Sequence, residues 1–176
     1  MESLTYHSVY QDLLPLPAEV VLGSVHLSWP ELVWGHDLGL IGWRSLVVYA
    51  CACIETDSRD SLLTQLAGIS KADASEAGEL ATVIANRQGP VDELLAKQKW
   101  LYLVLKRLYE EQSKFADPFG TIEQIYADFD YPSEMAGFVR WMPAAEPVPD
   151  EQSGIQKMHR NWQTYLSQTA RYLEKR

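Results

Sequence analysis

Apolar residues recur at a spacing of three to four along most of the chain, which is the pattern of amphipathic helices. The clearest case is Val91–Lys114, where Leu94, Leu101, Leu105 and Leu108 lie on one helical face. The alternation that is typical of half-buried strands is nearly absent. The helices predicted from this pattern are Tyr6–Leu14, Trp29 to about Gly35, Leu38–Ile54, a helix ending near Ala67, Glu76–Gln88, Val91–Lys114, Ile122–Phe129, Glu134–Met142 and Glu151–Lys175.

Several of these helices begin at residues that cap helix N-termini. Ser28-Trp29-Pro30-Glu31 is a capping box, with serine at the N-cap and glutamate at N3. Val20–Val25 is predicted as a single short strand, with a helix as the alternative. We therefore predict an all-α fold, a single-domain irregular bundle of about seven to nine helices over residues 1–176. The other candidate caps are Asp57 or Ser58, Asp73 or Ser75, Thr121, Pro132-Ser133, and the two aspartates near prolines, Asp117 and Asp130.

The composition narrows the class of protein. The chain has 176 residues, of which 47% are hydrophobic and 22% charged, so it is neither disordered nor collagen-like nor a disulfide-dense mini-protein. Its net charge is −9. Because nucleic acids and anionic membranes attract basic surfaces, this charge argues against both as partners.

Cysteine usage and the first residues bear on the compartment. Cys51 and Cys53 lie in the apolar run Leu46–Ile54, and their C-x-C spacing predicts two buried, reduced thiols. Met1-Glu2-Ser3 is acidic where a signal peptide would be basic, and no apolar run reaches the length of a membrane span. We therefore expect a cytoplasmic protein.

The familiar catalytic motifs are missing. The chain has no G-x-S-x-G, no P-loop, no G-x-G-x-x-G and no H-E-x-x-H. Its four histidines are far apart in sequence, and His36-Asp37 is best interpreted as a turn or helix cap. We therefore expect no catalytic residues, no metal and no cofactor.

Carboxylates are concentrated between Phe115 and Glu151. This segment contains eight acidic residues and a single basic residue, Arg140. Three interpretations remain open: a solvated face with helix caps, an acidic docking surface for a basic partner, or a metal or acid–base site at Asp128-Phe129-Asp130, which lacks an EF-hand glycine. The interleaved aromatic residues favour docking, because interfaces use aromatic anchors surrounded by charge. These residues are Phe119, Tyr126, Phe129, Tyr131, Phe138 and Trp141.

Several strings in the chain carry a family resemblance. They are Leu27-Ser28-Trp29, Gly35, Lys99-Trp100-Leu101-Tyr102, Leu105 to Tyr109, Asp117-Pro118, the run Ile125 to Pro132, and Phe138 to Pro143. In these strings the chain resembles the bacterial family known as domain of unknown function 2247. The resemblance implies no catalytic residues. It implies a bacterial cytoplasmic protein of a kind that is often found as an immunity protein beside polymorphic or contact-dependent toxins.

The leading hypothesis is therefore an immunity-type inhibitor of a cognate toxin domain, with a nuclease as the expected target. An acidic surface would mimic phosphates and exclude the substrate sterically. The alternatives are an enzyme with a carboxylate or His36-Asp37 site and a scaffold that pairs through Glu151–Lys175. Tyr126 and Phe129 can instead belong to the core, and the oligomeric state is left open. The predicted partner contacts are Glu123, Asp128, Asp130, Tyr131 and Glu134.

Overall fold

The computed structural model describes residues 12–56, 59–142 and 150–175, and every regular element in those ranges is a helix. The predicted all-α class is thereby confirmed. Three short 3₁₀ helices, Lys71–Asp73, Gln112–Lys114 and Ser133–Phe138, accompany the α-helices. The eight α-helices are α1 (Ala18–Ser24), α2 (Trp29–Asp37), α3 (Trp43–Thr56), α4 (Ser61–Ala67), α5 (Glu76–Asn86), α6 (Glu93–Glu111), α7 (Pro118–Asp128) and α8 (Glu151–Leu173).

The chain divides into two compact units, Met1–Trp100 and Leu101–Arg176, with the boundary inside α6. In the first unit, α3 packs against α1, α4 and α5, while α2 packs against α5. In the second unit, α8 packs against the 3₁₀ helix Ser133–Phe138. A single domain over residues 1–176 stays a prediction.

The predicted capping box at Ser28 is present and fixes the start of α2. The Ser28 hydroxyl accepts a hydrogen bond from the backbone N–H of Glu31, and the Glu31 carboxylate accepts one from the backbone N–H of Ser28 at 2.7 Å. Glu31 is buried and also pairs with the buried ammonium of Lys99, with 2.8 Å between the charged atoms. Trp100 donates from Nε1 to the backbone oxygen of Glu31 at 2.9 Å. The capping box therefore anchors α2 to the first half of α6.

Two expectations about the first unit were wrong. The predicted strand Val20–Val25 falls largely within α1, as the helical alternative had it. The predicted helix Leu38–Ile54 starts only at Trp43, because Leu38–Gly42 closes α2. There Gly39 adopts a left-handed φ of 75°. The backbone N–H of Leu40 donates a hydrogen bond to the backbone oxygen of Gly35 at 2.9 Å, as in a Schellman motif.

The central helix is less buried than its apolar sequence predicts. Leu46 and Ala50 are fully buried in α3, but Val48 is 41% exposed. Cys51 is exposed and Cys53 is half-buried, and neither forms a disulfide, so the expectation of two buried thiols was wrong. The reason is that α1, α4 and α5 cover only part of the surface of α3. Some of its apolar residues, such as Val48, therefore face solvent.

Only some of the predicted helix caps match the caps in the structure. The cap of α4 is Asp60, which accepts from the backbone N–H of Leu62 at 2.9 Å. The cap of α7 is Asp117, as its position before proline suggested, and not Thr121, which is buried within the helix. A serine or aspartate is a candidate wherever it precedes a helix, and only the first-turn geometry selects among neighbours.

Other predicted elements differ in extent or fall outside the described residues. The predicted helix Glu134–Met142 is only the 3₁₀ helix Ser133–Phe138, after which Val139 returns to extended backbone. The predicted caps Asp57 and Ser58 and most of Tyr6–Leu14 lie outside the described residues.

The second unit is built around the indole of Trp162, which is fully buried in α8. Its ring lies 4.9 Å from that of Tyr109 at 88° and 6.2 Å from that of Phe119. Phe138 stacks on it at 6.5 Å, and Asn161 donates to the backbone oxygen of Gly137 at 2.7 Å. These contacts hold α7, the 3₁₀ helix Ser133–Phe138 and α8 together.

Candidate functional site

Arg140 follows the 3₁₀ helix Ser133–Phe138 and connects this part of the chain to α7. Its guanidinium donates to both carboxylate oxygens of Asp117, at 3.2 and 3.0 Å, and to both of Glu123, at 2.9 and 3.1 Å. Hydrogen bonds from Arg140 to Glu123 and then to Asp117 raise the pKa of Arg140 well above its usual range. Glu123 was predicted as a partner contact, but its carboxylate is already engaged within the chain.

The carboxyl end of α7 carries three of the other predicted contacts, Asp128, Asp130 and Tyr131. The helix ends in a Schellman motif, in which the backbone N–H of Asp130 donates to the oxygen of Ala127 at 3.1 Å and that of Tyr131 to the oxygen of Tyr126 at 2.8 Å. The left-handed position is occupied by Asp130, with φ 61°, where α2 has a glycine.

Tyr131 continues in the left-handed region, with φ 55°. Two consecutive non-glycine residues with positive φ cost about 1–2 kcal/mol each, although aspartate tolerates this conformation better than most residues. Tyr131 is nevertheless 58% exposed. Its strained backbone therefore holds an aromatic ring at the surface instead of burying one.

Three aromatic rings meet at this end of α7, and we call Tyr126, Tyr131 and Trp141 the aromatic cluster. The Tyr126 ring is buried, and it lies 5.3 Å from the ring of Tyr131 at 81° and 5.3 Å from that of Trp141 at 66°. Trp141 is 56% exposed. The Tyr126 hydroxyl also lies 3.9 Å from the sulfur of Met142. The cluster thus has a buried base and two exposed aromatic side chains.

The predicted contacts therefore separate into two groups. Asp128, Asp130 and Tyr131 are brought together at the end of α7, and the exposed Glu134 follows in the next 3₁₀ helix. Asp128 is partly exposed and Asp130 exposed. Glu123 belongs instead to the ion-pair arrangement with Arg140. Tyr126 and Phe129 are core residues, as the alternative interpretation had it.

Sequence reasoning missed Arg140 and Trp141 as site residues. Arg140 is the only base in the acidic stretch, so an internal pairing with one of its carboxylates could have been expected. Trp141 was counted among the interleaved aromatic residues but not among the predicted contacts, since tryptophan is usually well buried. Trp29, Trp100 and Trp162 follow that rule. Trp141 departs from it, because this residue is more than half exposed and its ring contacts Tyr126 across the turn.

A cavity of about 570 Å³ lies within the second unit, next to the ion pair of Asp117 and Arg140. Its apolar lining includes Phe119, Val139 and Met158, and the pair Asp117 and Arg140 forms a polar edge. The pKa of Asp117 is lowered, chiefly by the backbone N–H of Gly120 and also by the guanidinium. This perturbation follows from helix capping and an ion pair, so it does not by itself indicate a catalytic acid.

Other candidate chemistry is sparse in the part of the chain that the structure describes. The Nδ1 atom of His36 lies 3.6 Å from a carboxylate oxygen of Asp37 at the end of α2. No three His, Cys, Asp or Glu side chains of the described ranges come together as a metal site requires. None of the helices in those ranges combines the length and the apolar character of a membrane-spanning helix.

Comparison with known proteins identifies the family. Residues 18–170 match the family model described as "uncharacterized protein conserved in bacteria (DUF2247)". Neither the curated proteins nor the solved structures include a significant match. The matched span runs from α1 into the last turns of α8 and contains both the capping box at Ser28 and the aromatic cluster. The chain therefore belongs to the bacterial family DUF2247.

Proposed function

We propose that this protein is an immunity-type inhibitor that binds a cognate bacterial toxin domain, with a nuclease domain as the target. The binding surface consists of the aromatic cluster and the carboxylates Asp128, Asp130 and Glu134. The proposal places the protein in the cytoplasm, where an incoming toxin would act. It involves no catalysis by the inhibitor, because covering the active site of the toxin is sufficient.

The observation that carries this proposal is the exposure of Tyr131 and Trp141. More than half of the surface of each residue is accessible, although both rings contact the buried Tyr126. Large aromatic side chains that remain accessible and are surrounded by charge are typical anchors of protein interfaces. Backbone strain at Tyr131 likewise points to function, since burial of the side chain does not offset it.

The carboxylates give this surface its preference for a basic partner. A nuclease active site is basic because it holds phosphates, so an acidic surface complements it. Complementary charges accelerate association, and this acceleration weakens as salt screens the charges over about 8 Å at physiological ionic strength. Within this proposal, Glu123 contributes through Arg140, because their ion pair positions the segment that carries Trp141.

The test uses the toxin domain that the proposal expects to be encoded beside the gene for this protein. Producing that domain in a laboratory bacterium should stop growth, and co-producing this protein should restore it. A variant carrying Asp128→Lys, Asp130→Asn and Glu134→Lys should bind the toxin domain at least tenfold more weakly in calorimetry at low salt. Asparagine is chosen at position 130 because it tolerates the left-handed backbone.

A matched control changes the net charge equally at exposed acidic residues of the first unit. Asp12→Asn, Glu19→Lys and Asp37→Lys serve this purpose. The control should bind within twofold of wild type. Failure to protect or to bind would contradict the inhibitor function, while equal weakening by variant and control would contradict the choice of surface.

A carboxylate-based enzyme is the second candidate, and the cavity beside Asp117 is the observation that favours it. Asp117 and Glu151 both line the cavity. Such a site would bind a small substrate there instead of a protein at the aromatic cluster. Met158→Trp, which fills the cavity, would then abolish the function, whereas toxin binding at the aromatic cluster would be little changed.

A further inference from the structure

The two exposed rings of the aromatic cluster have surface that a ligand can reach. Each meets Tyr126 at a steep angle, 81° for Tyr131 and 66° for Trp141. In such edge-to-face contacts at most one face of each ring is covered by Tyr126. The exposure of both side chains, 58% and 56%, therefore includes ring surface that an incoming group can cover.

The charge around these faces selects the ligand. The faces of aromatic rings are electronegative, and tryptophan and tyrosine attract cations within about 6 Å of the ring centroid. Asp130 immediately precedes Tyr131, and Asp128 lies in the last turn of the same helix. Aromatic faces and carboxylates at one helix end both favour a positively charged group over a neutral or anionic one.

We infer that Tyr131 and Trp141 bind an arginine side chain of the partner protein. A guanidinium is planar and weakly hydrated, so it can stack on an aromatic face while its N–H groups donate to carboxylates. Lysine lacks the flat surface and holds its water more strongly. The identity of the partner as a toxin rests on the proposed function, but arginine recognition by the cluster can be tested without a toxin.

The experiment titrates the intact protein with N-acetyl-argininamide and follows the indole N–H signal of Trp141 by NMR. The signal is assigned by its loss in Trp141→Phe. N-acetyl-citrullinamide serves as the control probe, because citrulline has nearly the same shape and no charge. The arginine probe should shift the signal saturably and bind about tenfold more tightly than the citrulline probe, as two exposed cation–π contacts would give.

Variants separate the cluster from other exposed aromatic residues. Tyr131→Leu should weaken arginine binding severalfold, while Tyr172→Leu, at a 44% exposed tyrosine of α8, should leave it unchanged. Circular dichroism and urea unfolding are used to check that both variants are folded. Equal binding of the arginine and citrulline probes, or tighter binding of N-acetyl-lysinamide, would overturn the inference.

The two proposals fail in distinguishable ways. If the neighbouring toxin does not bind but the arginine probe does, the proposed function fails and the inferred site remains. If the toxin binds and Trp141 does not respond to the arginine probe, the inhibitor function remains and the arginine site is refuted. Loss of both responses refutes both.

Discussion

Gly35 provides the sharpest test of how the first unit is packed. It lies in α2 directly against the indole of Trp100, and a Cβ built on it would lie only 2.8 Å from the indole Nε1 and closer still to Cε2 and Cζ2. Trp100 is fully buried and is fixed by its hydrogen bond to the backbone oxygen of Glu31. Gly35→Ala therefore forces either the indole or α2 to move.

The size of the effect follows from three contributions. Overpacking a dense core costs about 1–3 kcal/mol. Displacing the indole leaves a buried N–H without its acceptor, which costs about 1–3 kcal/mol. Alanine recovers about 1 kcal/mol through its helix propensity. We therefore expect Gly35→Ala to lower the free energy of unfolding by about 3 kcal/mol, a large part of the ~5–15 kcal/mol typical of a domain.

Urea unfolding followed by circular dichroism measures this difference. Gly23→Ala is the matched control, because Gly23 is also helical and a Cβ there would meet nothing within 4 Å. The control should be neutral or more stable by up to ~1 kcal/mol. A Gly35→Ala protein within about 0.5 kcal/mol of wild type, the ordinary range for surface changes, would refute the packing described for Trp100.

Three further predictions concern charge and thiol chemistry. Lys99→Met should lower the free energy of unfolding by about 3–5 kcal/mol in urea, because it leaves the buried Glu31 carboxylate without its cation. Backbone N–H groups at the start of α7 and the neighbouring guanidinium lower the pKa of Asp117. The stability that the Asp117 carboxylate contributes is therefore complete above the unfolded pKa of ~3.9 and is lost as the pH falls through the lower folded pKa. The stability difference between wild type and Asp117→Asn should accordingly be present at pH 7 and close in acid; a difference that persists at pH 2 would contradict this. Iodoacetamide should modify Cys51 faster than Cys53, since Cys51 is exposed and burial raises the pKa of Cys53; mass spectrometry that finds equal rates would contradict this assignment.

The helical class and most helix positions could be predicted because they depend on local patterns. The capping box at Ser28 and the long face of α6 are visible in a few consecutive residues. The start of α3 at Trp43, five residues later than predicted, could not be inferred in this way. It depends on Gly39, whose left-handed backbone ends α2 within a stretch whose apolar pattern predicts a continuous helix.

The candidate site shows the same division. An acidic stretch with interleaved aromatic residues predicted a docking surface and named Tyr131. The neutralisation of Glu123 by Arg140, across 17 residues, and the pairing of Tyr126 with Trp141 depend on tertiary contacts that no spacing reveals. The turn after Asp128 likewise determines that Phe129 lies in the core and Tyr131 at the surface.

The measurement that tests the central proposal most directly is the Kd of the toxin domain that the proposal requires, determined for wild type and for Trp141→Ala. Because Trp141 is 56% exposed, truncating its side chain should change the free energy of unfolding by less than ~1 kcal/mol. Because the proposal makes this side chain an interface anchor, its truncation should weaken binding by about 2 kcal/mol, which corresponds to roughly 30-fold weaker affinity. An unchanged Kd in a stable Trp141→Ala protein would contradict the assignment of the aromatic cluster as the binding surface.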